Sequence, residues 1–405
     1  MIKVNKNILM ILQSDYPPDI RLKKEIKSLT QNNFNIFLLC NNQKNLQKVE
    51  KINDKFHIIR LQHFQFLKMN LQSIIGTAIF FNPVWLWKIF NCVRKFQIEI
   101  LHVHDLPLAL SAVIIAKFFN IPVVFDMHEN YPAALIVWKK RGVERLIKNV
   151  HLAKYIEKLV LKIVDQIIVV IEEQRINLIS KSIKPSKIHI ISNTVDMREI
   201  DEIEINQEIV DKYKQHYMIL YIGSISKDRG LETPIKAMPK IIQKIPNAIL
   251  CLVGAGNHKQ YLVNLVKNLN FGNFIEFVKW VEFTNVPAYI KASKVSIIPQ
   301  PANPFINTTI PHKLFHYMYL ERPVIVSDAK PLARIITECQ CGEIFQSDSP
   351  EDFAEAVIRV YNSSTNYGKN GKKAVENKYN WGTTSKSLLK LYNKILKKEK
   401  NDSIM

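Results

Sequence analysis

Asn307-Thr-Thr-Ile-Pro-His-Lys-Leu-Phe-His-Tyr-Met318, running on to Arg322-Pro-Val-Ile-Val-Ser-Asp328, spells a polar loop, a helix and a buried strand in succession. Thr308 or Thr309 suits the helix cap and Pro311 its first turn, so uncapped N–H groups beside Lys313 favour an anionic ligand such as phosphate. Leu314, Tyr317, Met318 and Glu321 follow helical spacing, while residues 323–327 are short, apolar and β-branched, as in a strand covered on both faces. His316 lies three positions from Lys313, on the same flank, where it can face whatever the loop holds.

Apolar runs of the same kind recur between helix-like segments along the whole chain. In the first half they occupy residues 8–12, 36–40, 58–61, 98–103, 122–125, 166–171 and 188–191. In the second they occupy 218–222, 248–253, 274–277, 295–299, 323–327 and 342–345. Strands alternating with helices imply parallel sheets with right-handed crossovers, so the expected fold class is α/β, each half a doubly wound domain with ligands at the carboxyl ends of its strands. Residues 197–215 are acidic and polar and are expected to link a domain at 1–196 to one at 216–382, with a ligand cleft between them. Residues 383–405 contain an amphipathic helix, with Leu388, Leu389, Leu391, Tyr392 and Ile395 at helical spacing, expected to pack back on the first domain.

A length of 405 residues with 47% hydrophobic content suits two cores, since single cores stop growing near ~250–300 residues. The net charge of +20 points to anionic partners, and it is concentrated early: residues 1–200 hold 29 Lys and Arg against 16 Asp and Glu. No zinc-finger spacing or single-strand reader is present, so nucleic acid is not the expected partner; an anionic substrate or membrane surface is. Lys154, Lys158 and Lys162, four apart within the segment 139–164, could lie on anionic lipid or form a solvated helix face. Trp85, Trp87 and Phe90 beside Lys88 and Arg94 raise the same choice between lipid contact and core. The apolar run 74–90 is interrupted by Asn82, Pro83 and Lys88 before it reaches the ~20 residues of a membrane span. The five cysteines read as reduced thiols, and Cys339 and Cys341 lack the second pair a metal site needs. A cytoplasmic protein, either soluble or peripheral at the inner membrane face, is expected.

Gly223-Ser-Ile-Ser-Lys-Asp-Arg-Gly230 follows the first strand of the second half and enters a helix at Leu231-Glu-Thr-Pro234. Gly223 permits close backbone approach and Arg229 offers a guanidinium fork to phosphate oxygens; an ordinary strand-to-helix turn is the alternative. It is neither a P-loop nor a G-x-G-x-x-G fingerprint. Cys251-Leu-Val-Gly-Ala-Gly256 supplies a second glycine turn at a strand end. In the first half, Asp15, Tyr16, Asp19 and Arg21, then His104 and Asp105, then Asp126, His128 and Glu129 stand at three strand ends, and His128 is the preferred catalytic-centre residue.

Nearly the whole chain resembles the retaining, nucleotide-sugar-dependent glycosyltransferases of family 4 and the GT-B fold, two Rossmann-like domains facing a central cleft. The resemblance rests on Tyr16-Pro-Pro-Asp-Ile-Arg21, Leu101-His-Val-His-Asp105, Asp126-Met-His-Glu129, Ile190-Ile-Ser-Asn193, Tyr221-Ile-Gly-Ser224, Arg229-Gly-Leu231, Val253-Gly-Ala-Gly256 and Pro311-x-Lys-Leu-Phe-x-Tyr-Met318, in that order. It implies metal-independent transfer of a sugar from a nucleotide donor, base unspecified and no cofactor required, to a glycan or lipid-linked acceptor in cell-surface polysaccharide synthesis. His128 and Arg229 would stand at the catalytic centre. Gly223, Ser224, Lys227, Arg229, Thr308, Lys313, Leu314 and His316 would meet the donor, and Tyr16, Asp19, Arg21, His104, Asp105 and Glu129 the acceptor.

Three departures qualify the pattern. The family's Gly-Arg and Lys-Gly become Gly223-Ser224 and Arg229-Gly230, so one of two phosphate cations is missing or is supplied by Lys227 or Lys313. Residues 14–18 lack a glycine that often touches the donor. The family's two glutamates, eight apart, fall on Thr308 and His316, and a neutral imidazole offers one acceptor nitrogen where a carboxylate offers several. A non-catalytic subunit partnering an active transferase and a sugar-nucleotide epimerase are therefore the rival expectations.

Overall fold

The structure, a computed structural model, describes residues 6–61, 80–138 and 149–402. It contains two compact units, Met1–Ser192 with Thr384–Met405, and Asn193–Thr383.

The first unit is built on eight strands: β1 (Lys6–Asp15), β2 (Phe34–Asn41), β3 (Val49–Asn53), β4 (Phe56–Arg60), β5 (Ile100–His104), β6 (Val123–Met127), β7 (Gln166–Val169) and β8 (Ile188–Ile190). Their order is β3-β4-β2-β1-β5-β6-β7-β8. Every expected run in this half forms a strand, because unbroken Val, Ile and Leu can be buried on both faces only beneath helices. The exception to the all-parallel expectation is β3. Val49-Glu-Lys-Ile-Asn53 is largely exposed and pairs antiparallel with β4 at the sheet edge. It carries no buried run to betray it, and its charged side chains suit an edge that must not recruit further strands. The order reverses between β1 and β5, so side chains just beyond those strands converge.

The second unit has β9 (Tyr217–Ile222), β10 (Ala248–Val253), β11 (Ile275–Val278), β12 (Val295–Ile298), β13 (Val324–Ser327) and β14 (Gly342–Phe345). All pair parallel in the order β11-β10-β9-β12-β13-β14, which reverses between β9 and β12. Residues 197–215 belong to this unit and carry two short helices, Met197–Asp201 and Gln207–Lys212, with Ile200 and Tyr213 buried.

Helix capping in the opening stretch differs from expectation. The helix is Lys313–Tyr319, with His312 at its N-cap and no side-chain cap. Thr308 instead ends a separate turn, Ile306–Thr308, and its hydroxyl donates to Phe305 O at 2.8 Å. Asn303 organises that earlier turn by accepting from the N–H groups of Phe305 and Ile306 at 2.9 and 3.0 Å. The local competition between an Asn turn and a Thr cap is settled one turn upstream.

The C-terminal helix Trp381–Asp402 buries Leu388, Leu391, Tyr392 and Ile395. Tyr392 packs on Phe34 of β2, ring centroids 5.4 Å apart. Residues 139–148 of the basic segment and 74–79 of the apolar run lie outside the described residues. Beyond them, helix Val150–Ile163 buries Ile156 and Val160 and exposes Lys154, Lys158 and Lys162. Trp85 is core, whereas Trp87 is 66% exposed.

Candidate functional site

In the second unit, a cationic site forms at the switch between β9 and β12. Lys313 places Nζ 3.9 Å from the centroid of the Tyr221 ring. Gly223, just past β9 with φ 139°, makes room for that amine: a methyl group there would lie 2.6 Å from Nζ. Gly254, φ 146°, lets the turn after β10 pack onto this loop, since a methyl there would meet Gly223 O at 1.9 Å. The loop is further tied by Tyr221 Oη donating to Ser224 O at 2.6 Å and by Ile222 N–H donating to Tyr317 Oη at 3.1 Å.

Arg229 ends the turn Lys227–Arg229 and lies with Nε 3.5 Å from Asp228 Oδ2. Asp228 is also held by Ser226 Oγ at 2.6 Å. Burial and the nearby Arg229 charge pull the Lys313 amine well below its ordinary range, and Asp228 offsets only part of this. A site that holds two cations so poorly compensated favours a dianionic ligand. Ser224 and Lys227 are exposed on the same loop, and Leu314 is fully buried in the core. His316 is half-buried beside Phe283, ring centroids 5.8 Å apart.

In the first unit, β1, β5 and β6 bring together the predicted residues. Arg21 is buried and makes a double contact with Asp126, Nη2 to Oδ1 at 2.9 Å and Nε to Oδ2 at 3.2 Å. It also donates to Ile191 O at 2.7 Å and lies 3.1 Å from Glu25. Asp126 Oδ2 stands 3.2 Å from His128 Nε2 and 3.4 Å from His104 Nδ1. Those two imidazole nitrogens are 3.0 Å apart.

The neighbouring histidines have opposite charge states. Burial, His102 and His128 push His104 down to about 3, so it stays neutral. Burial also opposes charge on His128, yet Asp105 and Asp126 outweigh it and raise the group to about 10. His128 thus carries the proton, with its ring 21% exposed, while Asp126 is held ionised below its usual range, Arg21 overcoming the effect of burial. Asp105 takes φ 64°, ψ 161°, a region nearly reserved for glycine, with its N–H donating to Asp126 O at 2.9 Å. Such strain, of order 1–3 kcal/mol, persists where surrounding structure enforces it. Here it sets Asp105 Oδ2 3.7 Å from His128 Nδ1.

The remaining acceptor-side residues have more structural duties. Asp19 caps helix Ile20–Gln31 by accepting from Leu22 N–H at 2.9 Å, and Tyr16 is buried edge-on to Phe56. Glu129 is partly exposed beside His128 in sequence. His102 and Glu25 escaped the sequence reading: His102 stacks on His104 at 4.3 Å and bonds Tyr392 Oη at 2.7 Å. The alternation in Leu101-His-Val-His-Asp105 was the available signal, because residues two apart on a strand share a face. Glu25, His102, His104 and Asp126 place candidate metal-ligand atoms within 4.8 Å of one another, but Arg21 already supplies a cation to both carboxylates.

Residues 25–199 match the model of Glycosyltransferase Family 4, and residues 202–381 match that of Glycosyl transferases group 1. The chain belongs to this glycosyltransferase family. Relatives of the family-4 chain include an uncharacterized glycosyltransferase of Methanocaldococcus jannaschii, 23% identical over 249 residues, 60% of this chain. Another is the capsular polysaccharide biosynthesis glycosyltransferase CapM of Staphylococcus aureus, 23% identical over 257 residues, again 60% of this chain. The chain spans 62% and 64% of the length of these two relatives. The solved structure of sucrose-phosphate synthase from Thermosynechococcus elongatus is similar over 97% of this chain and 99% of that one, at TM-score 0.79 and 17% identity. The fold of the family-4 chain is therefore GT-B, with a Rossmann-like sheet in each unit.

Proposed function

We propose that this family-4 chain transfers a sugar, with retention and without metal, from a nucleotide donor to a glycan or lipid-linked acceptor in polysaccharide synthesis. The carrying observation is the pair Lys313 and Arg229 gathered at the end of β9, with Gly223 leaving space at the amine. As the bond between the anomeric carbon and the diphosphate oxygen breaks, those cations take up the charge left on the diphosphate. The acceptor oxygen bonds to the same carbon, and its proton leaves with the diphosphate. In the first unit, the protonated His128 would hydrogen-bond the sugar or acceptor at its exposed edge, leaving Arg21, Asp126 and His104 to hold it in place.

Thermal unfolding across uridine, guanosine, adenosine and thymidine diphosphates and their sugars tests this reading. A donor at one hundred times its Kd should add about 2.7 kcal/mol of stability, and one base should stand out. No stabilisation by any member rejects active transfer. A second reading, a non-catalytic subunit beside an active transferase, is favoured by Thr308 and His316. The Thr308 hydroxyl is committed to backbone carbonyls, and an imidazole stands at the other position, so two carboxylates are absent from the donor side. Transfer or donor hydrolysis that disappears in His128→Ala rejects the subunit reading, while donor-sugar conversion without acceptor marks an epimerase.

We place the protein peripherally at the inner membrane face. No helix among the described residues is long and apolar enough to cross a membrane. Support comes from exposed Leu152 and Tyr155 beside Lys154 and Lys158, and from exposed Trp87 and Phe118 near Arg94. Flotation with vesicles containing phosphatidylglycerol, but not pure phosphatidylcholine, is the expected result. Equal recovery with both, or none with either, excludes an anionic lipid partner.

A further inference from the structure

A second chemically distinct place lies where helix Lys330–Cys339 turns into β14. Cys339 ends the helix, Gln340 reverses the chain in a left-handed conformation at φ 48°, ψ 47°, and Cys341 N–H donates back to Ile336 O at 3.4 Å. Cys339 and Cys341 flank this left-handed residue, one on each side of the turn. Cys40, Cys92, Cys251 and Cys341 are buried, whereas Cys339 is half-buried. It lines a pocket of about 320 Å³ together with Gln340, Asn370, Lys373, Asn377 and Lys378. Asn370 holds the turn by donating to Gln340 O at 3.0 Å.

The pocket has an electropositive bias. Its carboxylate, Glu338, is engaged by Lys378 Nζ at 2.7 Å, Tyr379 Oη at 2.8 Å and Arg334 Nη1 at 3.3 Å. Lys373 adds a further positive charge to the lining. We propose that Cys339 and Cys341 form a thiol–disulfide exchange site for anionic low-molecular-weight disulfides, with Cys339 attacking and Cys341 resolving.

The Cys339 thiolate attacks one sulfur of the small disulfide, whose S–S bond breaks and releases one thiolate that takes a proton from water. Cys341 then loses its proton to solvent and attacks Cys339 Sγ, expelling the second small thiolate. Two protein thiols are oxidised to one disulfide, and one small disulfide is reduced to two thiols. The division of labour follows the surroundings. Neighbouring Cys341, Lys378 and Arg334 draw the Cys339 thiol down, against burial and Glu338, while neighbouring Cys339 and burial hold Cys341 up. Once Cys339 carries the mixed disulfide, its charge no longer disfavours the Cys341 thiolate. A disulfide needs Cα atoms roughly 4.4–6.8 Å apart, a separation met by residues flanking one left-handed residue.

Reduced full-length protein is incubated with oxidised glutathione and followed by intact mass and peptide mapping. The wild type should lose two hydrogen masses, with a Cys339–Cys341 link and no lasting adduct. Cys341→Ser should accumulate one glutathionyl group on Cys339, and Cys339→Ser should show neither product. Circular dichroism and thermal unfolding of both variants confirm that they are folded. A lasting adduct on the wild type overturns the resolving role. Absence of reaction at Cys339 in folded Cys341→Ser, or equal reaction at Cys40, Cys92 and Cys251, overturns the site.

Discussion

Lys313→Met is expected to weaken nucleoside diphosphate binding by ~10- to 100-fold without lowering the stability of the free protein. Hydrogen bonds to charged groups contribute about 1.5–3 kcal/mol, and each 1.4 kcal/mol is about tenfold in affinity. Most losses of a partly buried polar side chain destabilise, but this amine sits over the Tyr221 ring with Arg229 close by, so charging it is unfavourable until an anionic ligand arrives. Methionine keeps the length and leaves the Gly223 space intact. Isothermal titration with the stabilising diphosphate, alongside urea unfolding, separates the two effects.

The same residue couples binding to protons. Burial and Arg229 depress the Lys313 pKa in the free protein, and a bound dianion raises it again. Binding should therefore take up protons, with affinity falling as pH rises above the free-protein value. Titrations in two buffers of different ionisation enthalpy should give positive proton uptake for the wild type and none for Lys313→Met. Equal affinity for both proteins would remove Lys313 from the phosphate site.

Asp126→Asn is expected to cost about 3–5 kcal/mol of stability, the usual penalty for removing one partner of a buried ion pair. Arg21 would keep its bond to Ile191 O and its contact with Glu25, but lose the carboxylate that takes two of its nitrogens. Asp126 and His128 of the wild-type cluster have opposite signs of pH dependence. Asp126 is depressed, so its contribution is full above the unfolded carboxylate pKa of roughly 3.9 and is lost as pH falls through the lower folded value. His128 is raised to about 10, so its contribution is full below the unfolded imidazole value and is lost as pH rises through about 10. In Asp126→Asn the His128 titration, read by imidazole NMR, should move back toward the ordinary range. Wild-type urea stability together with an unchanged His128 titration would show that Asp126 does not organise this site.

All thirteen expected strand runs are strands in the structure; most are apolar, β-branched stretches buried on both faces, whereas the edge strands β11 and β14 are only partly covered. The strand that escaped, β3, has no such run; its pairing depends on the neighbouring β4, which lies next along the chain. The Thr308 cap failed for a related reason. Several side chains in 303–312 compete to hold the same few backbone groups, and Asn303 prevails through a turn that local preferences do not rank.

Site residues divide in the same way. Gly223 stood out as a glycine ending a strand before a basic loop, and in the structure it has φ 139° and leaves room for the Lys313 amine, which a methyl group there would approach to 2.6 Å. Arg21 was legible as a cation at a strand end, but not as a buried partner of Asp126, 105 positions away. The sequence set His128 at the catalytic centre and His104 on the acceptor side without separating their charge states, and in the structure His104 is neutral and His128 charged.

By itself, the sequence determined every strand but β3, their parallel winding in two halves and the family, since these follow from the period and order of residues along the chain. The loop at 307–318 was readable as a candidate anion site, with Lys313 its proposed cation and His316 its departure from the family pattern. Only the tertiary structure decided which groups meet there and in what charge state: Lys313 over Tyr221 against Gly223, and His128 protonated between Asp105 and Asp126. Charge state depends on burial and on charges a few ångströms away, and those neighbours come from distant strands that sequence order does not place side by side.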